Sequence, residues 1–178
     1  MDVVAKEIDA LKKLKCFKFH LPSTKFSKSN GWQYCPLHMI FDIKQQDMRF
    51  KARLVAGGNV IDSSSFNTSS TTVHDISIRL LMLIAVNNGL GLMAGDIGNA
   101  FPTAPNMEKV WTIAGPEFGD QAGSVVEIAR ALYGLSTASR AFHEFLADCL
   151  RRMGFNPTRA DPDLWLSLIH ISEPTRPY

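Results

Sequence analysis

The sequence predicts an α+β fold in which an antiparallel sheet packs on helices. Three observations carry this expectation. Apolar residues recur at helical spacing in three separate stretches. Two neighbouring runs alternate apolar and polar residues on either side of a short polar turn. Further apolar runs are too short for helices and of ordinary length for strands. The chain has 178 residues, 46% of them hydrophobic, which is enough for a packed core and too apolar for a disordered chain. No apolar run approaches the roughly 20 residues of a membrane span, so no membrane contact is expected.

The elements follow in order. Val4, Ile8, Leu11 and Leu14 predict a helix over 3–15, with Lys12, Lys13 and Lys15 complementing its dipole. Residues 16–20 alternate as a short strand, and 21–31, rich in Ser, Lys and Asn, form a loop. Leu37, Met39, Phe41 and Ile43 alternate with mostly polar neighbours. Phe50, Ala52, Leu54 and Ala56 alternate with Arg49, Lys51, Arg53 and Val55. With Gln45-Gln46-Asp47 as the turn, these runs make a β-hairpin, closed by Gly57-Gly58. After a Ser/Thr-rich loop, Thr72 with Asp75 three residues on starts a helix, and Gly89 stops it. Ile76, Leu80, Leu83 and Ile84 form its core face. Short strands are expected at 92–97, Val110–Ile113 and Val125–Ile128. Ser136 caps a helix over 136–153 that turns Ala138, Ala141, Phe142, Phe145, Leu146, Cys149 and Leu150 inward. Residues 161–166 are a loop entering an apolar strand. No internal repeat is present.

Charge is uneven along the chain. Residues 1–58 hold 11 Lys/Arg and 5 Asp/Glu, a net of +6, whereas residues 59–178 carry a net of −4. A basic front and an acidic back suit a protein that holds a polyanion with one part and cations with another, although ordinary surface patterning gives the same counts. Cys16, Cys35 and Cys149 have no C-x-x-C spacing and read as reduced thiols of an intracellular protein. The N-terminus runs straight into a charged amphipathic stretch and reads as no signal peptide.

Four places carry possible chemistry. Asp96 ends an apolar run ahead of Gly98-Asn99-Ala100. A carboxylate there can hold a hard cation, as polymerases require for paired metals, or simply cap a turn. Phe101, five residues on, can exclude a sugar bearing a 2′ hydroxyl or serve as a core ring. Arg49, Lys51 and Arg53 share one strand face about 6.6 Å apart, a spacing suited to phosphates and equally to a charged edge. In the run 131–136, Gly134 lets the backbone turn and another chain approach closely.

In this order, the strings Phe50-Lys51-Ala52-Arg53-Leu54-Val55-Ala56-Gly57, Asp96-Ile97-Gly98-Asn99-Ala100-Phe101, Ala131-Leu132-Tyr133-Gly134-Leu135 and Ala160-Asp161-Pro162-Asp163-Leu164-Trp165 resemble the reverse transcriptase of copia-like LTR retrotransposons. The resemblance runs from about Ala5 to Trp165. It implies right-hand polymerase fingers and a partial palm, truncated, and DNA synthesis on an RNA or DNA template with primer and deoxynucleoside triphosphates. By position it makes Asp96 the catalytic metal ligand, for magnesium or manganese in the intact parent. Lys51 and Arg53 would grip the triphosphate, with the Ile97 backbone beside it. Phe101 would be the sugar gate, Gly134 would meet the nascent base pair, and the row Arg49, Lys51 and Arg53 would touch nucleic acid.

The parent would be a Pol polyprotein that also carries integrase and RNase H, in a cytoplasmic virus-like particle or the nucleus. The family pattern has Lys-Gln where this chain has Ser136-Thr137. Its Tyr-x-Asp-Asp motif, which supplies the remaining metal carboxylates, does not occur. Asp161 and Asp163 belong to a structural turn and do not replace it. The chain alone is therefore expected to be inactive. Residues 1–166 read as the reverse-transcriptase region and 167–178 as a non-native tail resembling sequencing-adapter read-through. The alternative to a polymerase fragment is a non-enzymatic nucleic-acid-binding relic. A hydrolase built on His74 or His143 lacks any Gly-x-Ser-x-Gly elbow.

Overall fold

The structure, a computed structural model, describes residues 3–44 and 48–167. The expected turn at 45–47 and nearly all of the expected tail lie outside the described residues. In chain order the helices are α1 (Val3–Lys13), α2 (Asp75–Asn87), α3 (Ala100–Thr103) and α4 (Ala138–Arg152). The strands are β1 (Phe17–His20), β2 (Gln33–Tyr34), β3 (Leu37–Lys44), β4 (Arg49–Ala56), β5 (Val110–Ile113), β6 (Val125–Ile128), β7 (Phe155–Pro157) and β8 (Trp165–Ser167). The chain divides into two compact units. Met1–Ser69 with Asn99–Phe142 make one, and Ser70–Gly98 with His143–Tyr178 make the other.

In the first unit, a four-stranded sheet has the order β1-β6-β5-β2. It is antiparallel except for β2, which runs parallel to β5, a departure from the all-antiparallel expectation. Two residues are too few to show a period, so β2 has no signature of its own in the sequence. Val110, Thr112, Val126 and Ile128 point into the core with Phe17, whose ring meets Phe118 edge-on at 5.1 Å. The spacing in α1 buries Ile8 and Leu11 as expected. Lys12 near its end lies 5.9 Å from the Phe19 ring centroid, a cation–π distance.

The expected hairpin forms, and its register runs from Leu37 opposite Ala56 to Lys44 opposite Arg49. Its base buries Ala52, Leu54 and Ala56, while Phe41, Ile43 and Phe50 on the same face stay exposed. Glu7 of α1 accepts the Leu54 N–H at 3.3 Å, which satisfies a donor on the edge of β4 away from β3.

The second unit departs further from expectation. α2 starts at Asp75 with His74, not Thr72, in the cap position, and His74 supplies no side-chain cap. The cap comes instead from Asp161, whose carboxylate accepts the His74 N–H at 2.9 Å and a hydrogen bond from the Ser77 side chain. Asp161 is almost wholly buried. It also accepts the Asp163 N–H, and its carbonyl accepts from Leu164 N–H and the Thr158 hydroxyl. The Asp-Pro-Asp run is thus a turn that holds a helix start, as the structural reading of these residues required. Gly89 stops α2 as expected: it has φ 63°, and Gly89 and Leu90 N–H groups bond back to Val86 and Ala85.

Two corrections concern apolar surface. Ile76, Leu80, Leu83 and Ile84 are exposed, and Ala85 is the buried residue of α2. The expected strand at 92–97 does not form; residues 90–97 are without regular structure, and Met93 is fully exposed. Both errors have one cause. An apolar stripe or run buries only where a second element covers it, and a strand needs a ladder partner. None of the named sheets provides that ladder for 92–97.

α4 begins at Ala138, two residues later than expected, and buries Ala138, Ala141 and Ala147, with the expected larger residues half-buried. β7 pairs with β8, so the strand expected after the loop at 161–166 forms with a partner the sequence did not reveal. No helix among the described residues is long and apolar enough to cross a membrane.

Burial pushes the thiol of Cys16 up to about 12 and that of Cys35 up to about 11. Cys149 is only half-buried. Alkylation of the native chain is therefore expected at Cys149 first, with Cys16 and Cys35 reacting only on unfolding. Peptide mapping after timed iodoacetamide exposure checks this, and early labelling of Cys16 would contradict the described core.

The Ser77 side chain and the His74 N–H hold the Asp161 carboxyl below the usual range. Burial raises the Asp163 carboxyl, but hydrogen bonds from Thr71 and His143 outweigh it and lower it overall. Depressed carboxyls stabilise the fold above their unfolded value of about 3.9 and lose that contribution as pH falls through the lower folded values. The α2 region should keep its helicity down to about pH 4 and lose it below. Asp161→Ala should be less stable already at neutral pH and show a smaller acid transition. Circular dichroism across an acid titration of both proteins measures the difference.

Candidate functional site

Strand alternation decides where the basic residues of β4 point. Arg49, Lys51 and Arg53 share one face, opposite the face that carries Ala52, Leu54 and Ala56 inward. Arg49 and Arg53 are exposed and Lys51 is half-buried. The register sets Asp42 opposite Lys51 and Ile40 opposite Arg53, so the row is not purely basic.

The Arg53 guanidinium lies over the ring of Tyr133, 5.5 Å from its centroid. The same ring meets Phe101 at 5.0 Å, and Phe101 in turn meets Phe142 at 6.2 Å. Phe101 sits in α3, a single turn entered through Asn99 in the left-handed region at φ 51°. That short helix is anchored to the segment leading to Tyr133. The Arg130 guanidinium donates to the Thr103 carbonyl at 3.2 Å, and Ala131 N–H donates to the Ala104 carbonyl at 3.1 Å.

The close approach expected at Gly134 is present, and its neighbour is the end of β4. The Ala56 N–H donates to the Tyr133 carbonyl at 2.7 Å. Gly134 has φ 93°, and a Cβ there would overlap the Ala56 carbonyl oxygen and stand 2.7 Å from Val55 Cγ1. A Cβ on Gly58 would overlap the Gly134 carbonyl. Two of the quoted strings are therefore in backbone contact, and that contact brings Arg53, Phe101 and Gly134 around Tyr133.

Asp96 and Ile97 lie in the second unit, exposed, within the segment that lacks regular structure. Among the described residues no group of three or more His, Cys, Asp or Glu side chains could hold a metal ion. A lone exposed carboxylate does not fit a two-cation centre. Asp161 and Asp163 are engaged elsewhere, in the α2 cap and in a contact with His143.

Sequence reasoning missed Tyr133, the ring on which Arg53 and Phe101 converge. Its position inside the Ala-Leu-Tyr-Gly-Leu string was the available signal. It also missed Glu108, which is buried. One of its oxygens accepts from Ser63 at 2.9 Å, and the other has no hydrogen-bond partner among the described residues. Ser63 also bonds Ser136 at 2.6 Å, and because α4 starts at Ala138, Thr137 rather than Ser136 precedes its first residue. The buried Thr137 hydroxyl is likewise unpartnered among the described residues. Ser136 is thus linked to Glu108 through Ser63, and Thr137 carries an unpartnered hydroxyl of its own.

A mixed α/β domain carrying this basic strand face and aromatic cluster is compatible with a nucleic-acid polymerase. Residues 20–168 match the family described as reverse transcriptase (RNA-dependent DNA polymerase), and the chain belongs to that family. It is 32% identical over 122 residues to the retrovirus-related Pol polyprotein from transposon RE1 of Arabidopsis thaliana, covering 66% of this chain and 8% of that protein. The corresponding protein from transposon RE2 of the same plant is 31% identical over 122 residues, with the same coverage. The truncated transposon Ty1-A Gag-Pol polyprotein of Saccharomyces cerevisiae is 26% identical over 109 residues, 60% of this chain and 9% of that one. These relatives bear out the resemblance to copia-like retrotransposon reverse transcriptases. The chain spans less than a tenth of their length. No solved structure matches it.

Gly134→Ala should lower stability by about 2–4 kcal/mol through left-handed strain plus overlap with Ala56. Arg53→Ala removes one exposed cation–π contact and should cost about 0.5–1 kcal/mol. Urea denaturation of the two variants gives the comparison; equal midpoints would refute the backbone crossing.

Proposed function

We propose that this chain is the fingers and part of the palm of an RNA-directed DNA polymerase. The observation that carries the reading is the convergence of Arg53 and Phe101 on Tyr133, beside the Gly134 crossing. Lys51 and Arg53 would bind the triphosphate by charge-assisted hydrogen bonds. Phe101 would set the sugar that fits, and Gly134, with no side chain, would admit the nascent base pair. Arg49, Lys51 and Arg53 would neutralise phosphates of template and primer.

In the parent, Asp96 would hold one part of a magnesium or manganese centre, which supplies charge for nucleotidyl transfer. Template, primer, deoxynucleoside triphosphates and the other Pol segments would be its partners, inside the cell. This chain carries Asp96 without a Tyr-x-Asp-Asp run and so should not extend a primer. A relic that only binds nucleic acid is the second reading, favoured by Asp96 standing outside any group of three or more metal-ligating side chains among the described residues.

Binding to an RNA–DNA hybrid should fall steeply with salt. Arg53→Ala should reduce the slope of log K against log salt by about one. A slope unchanged by this substitution would remove Arg53 from the interface. Magnesium-dependent primer extension above a protein-free blank would overturn the inactivity.

A further inference from the structure

We propose that the outer face of the four-stranded sheet is a stacking platform for unpaired bases of a single-stranded nucleic acid. This rests on the reading that the chain handles nucleic acid, but it uses none of the residues assigned above. Strand register defines the face. Lys18, Glu127, Trp111 and Tyr34 lie opposite one another across β1, β6, β5 and β2, which places them in one row. On the two central strands, β5 and β6, the core-facing rows begin one residue away, at Val110, Thr112 and Val126, all buried. An indole and a phenol at the centre and edge of the solvent row are therefore not explained by the core.

The loop between β1 and β2 adds two more rings. Phe26 lies 4.2 Å from Trp32 and 5.8 Å from Trp111, and Tyr34 meets Trp111 at 5.2 Å. Phe26, Trp32, Tyr34 and Trp111 wall a cleft of about 340 Å³ with Lys28 at its lining. Trp32 also lines a second cleft of about 330 Å³, which includes Lys18 and Lys109. Each volume is at the small end of ligand sites. Tyr34 remains 48% exposed.

The chemistry of this face selects its occupant. Aromatic rings beside lysines match a chain that alternates flat bases with phosphates. Lys28 and Lys109 are exposed, and Glu127, the acid in the row, is already paired with Lys18 at 2.7 Å. A duplex keeps its base faces stacked internally, so only an unpaired strand can use the rings. Phe26 pins the loop; Tyr34, at the sheet edge, is the ring most available to a base.

The test uses the full chain with Trp165→Phe, which leaves Trp32 and Trp111 as its only indoles. Oligo(dT) and a duplex of equal length are titrated while indole emission and the anisotropy of a labelled strand are read. Oligo(dT) should quench the indoles and the duplex should not. Tyr34→Ala should weaken oligo(dT) binding roughly tenfold and leave duplex binding unchanged. Lys28→Ala, at an exposed position that packing does not require, should lower the salt slope for oligo(dT) by about one. Replacing Arg49, Lys51 and Arg53 together by Ala should weaken both ligands yet leave the quench at saturation intact.

Three outcomes overturn the platform. One is oligo(dT) binding without quenching. The second is Tyr34→Ala and Lys28→Ala binding like the parent while the β4 variant fails, which leaves the β4 reading standing. The third is absence of binding to either ligand, which removes both readings. Loss confined to the platform variants supports the platform and removes the β4 row instead.

Discussion

The first unit depends on one backbone crossing, where the end of β4 meets the turn at Tyr133 and Gly134. The Ala56 N–H and the Tyr133 carbonyl are joined at 2.7 Å, and the missing side chains of Gly134 and Gly58 make room for the approach. Residues about 77 apart in sequence are locked there without any side-chain chemistry. Everything distinctive about the candidate site follows from it. Arg53 is three residues before the crossing and Tyr133 is in it, so a strand face and a turn meet as guanidinium over ring. Phe101 joins because its single-turn helix is tied through Arg130 and Ala131 to the same turn.

Much of the first unit was legible because its signals are local. The hairpin follows from alternation, α1 from helical spacing, and the Gly134 approach from the one residue type that permits it. The site was only partly legible. Alternation correctly placed Arg49, Lys51 and Arg53 on one face, yet it could not say that Asp42 would stand opposite Lys51 or that Tyr133 would lie beneath Arg53. Those are long-range facts, fixed by register and by the crossing. β2 escaped for a related reason, since its two residues are defined by their partner β5 and by nothing within themselves.

The second unit shows where periodicity misleads. Ile76, Leu80, Leu83 and Ile84 form the stripe expected of a buried helix, and they are exposed. Pattern reports the capacity to be buried, whereas burial requires a covering element. The same holds for 92–97, an apolar run whose strand character depends on a neighbour to share hydrogen bonds. Asp96 belongs to that run, so the least regular segment of the unit carries the residue on which the resemblance places the chemistry. The helix start was misread for a different reason. Thr72 and Asp75 offer a local cap, but a carboxylate from a distant turn takes the role.

That distant cap bears on how the protein emerges from the ribosome. The donor at His74 and the acceptor at Asp161 are separated by 87 residues, so a nascent α2 waits until that further stretch has been made, with its first amide groups answered only by water. Helix nucleation is unfavourable without such help. The order of synthesis thus favours the first unit's hairpin settling early, while α2 stays a late, reversible element whose formation is gated by the arrival of a single carboxylate.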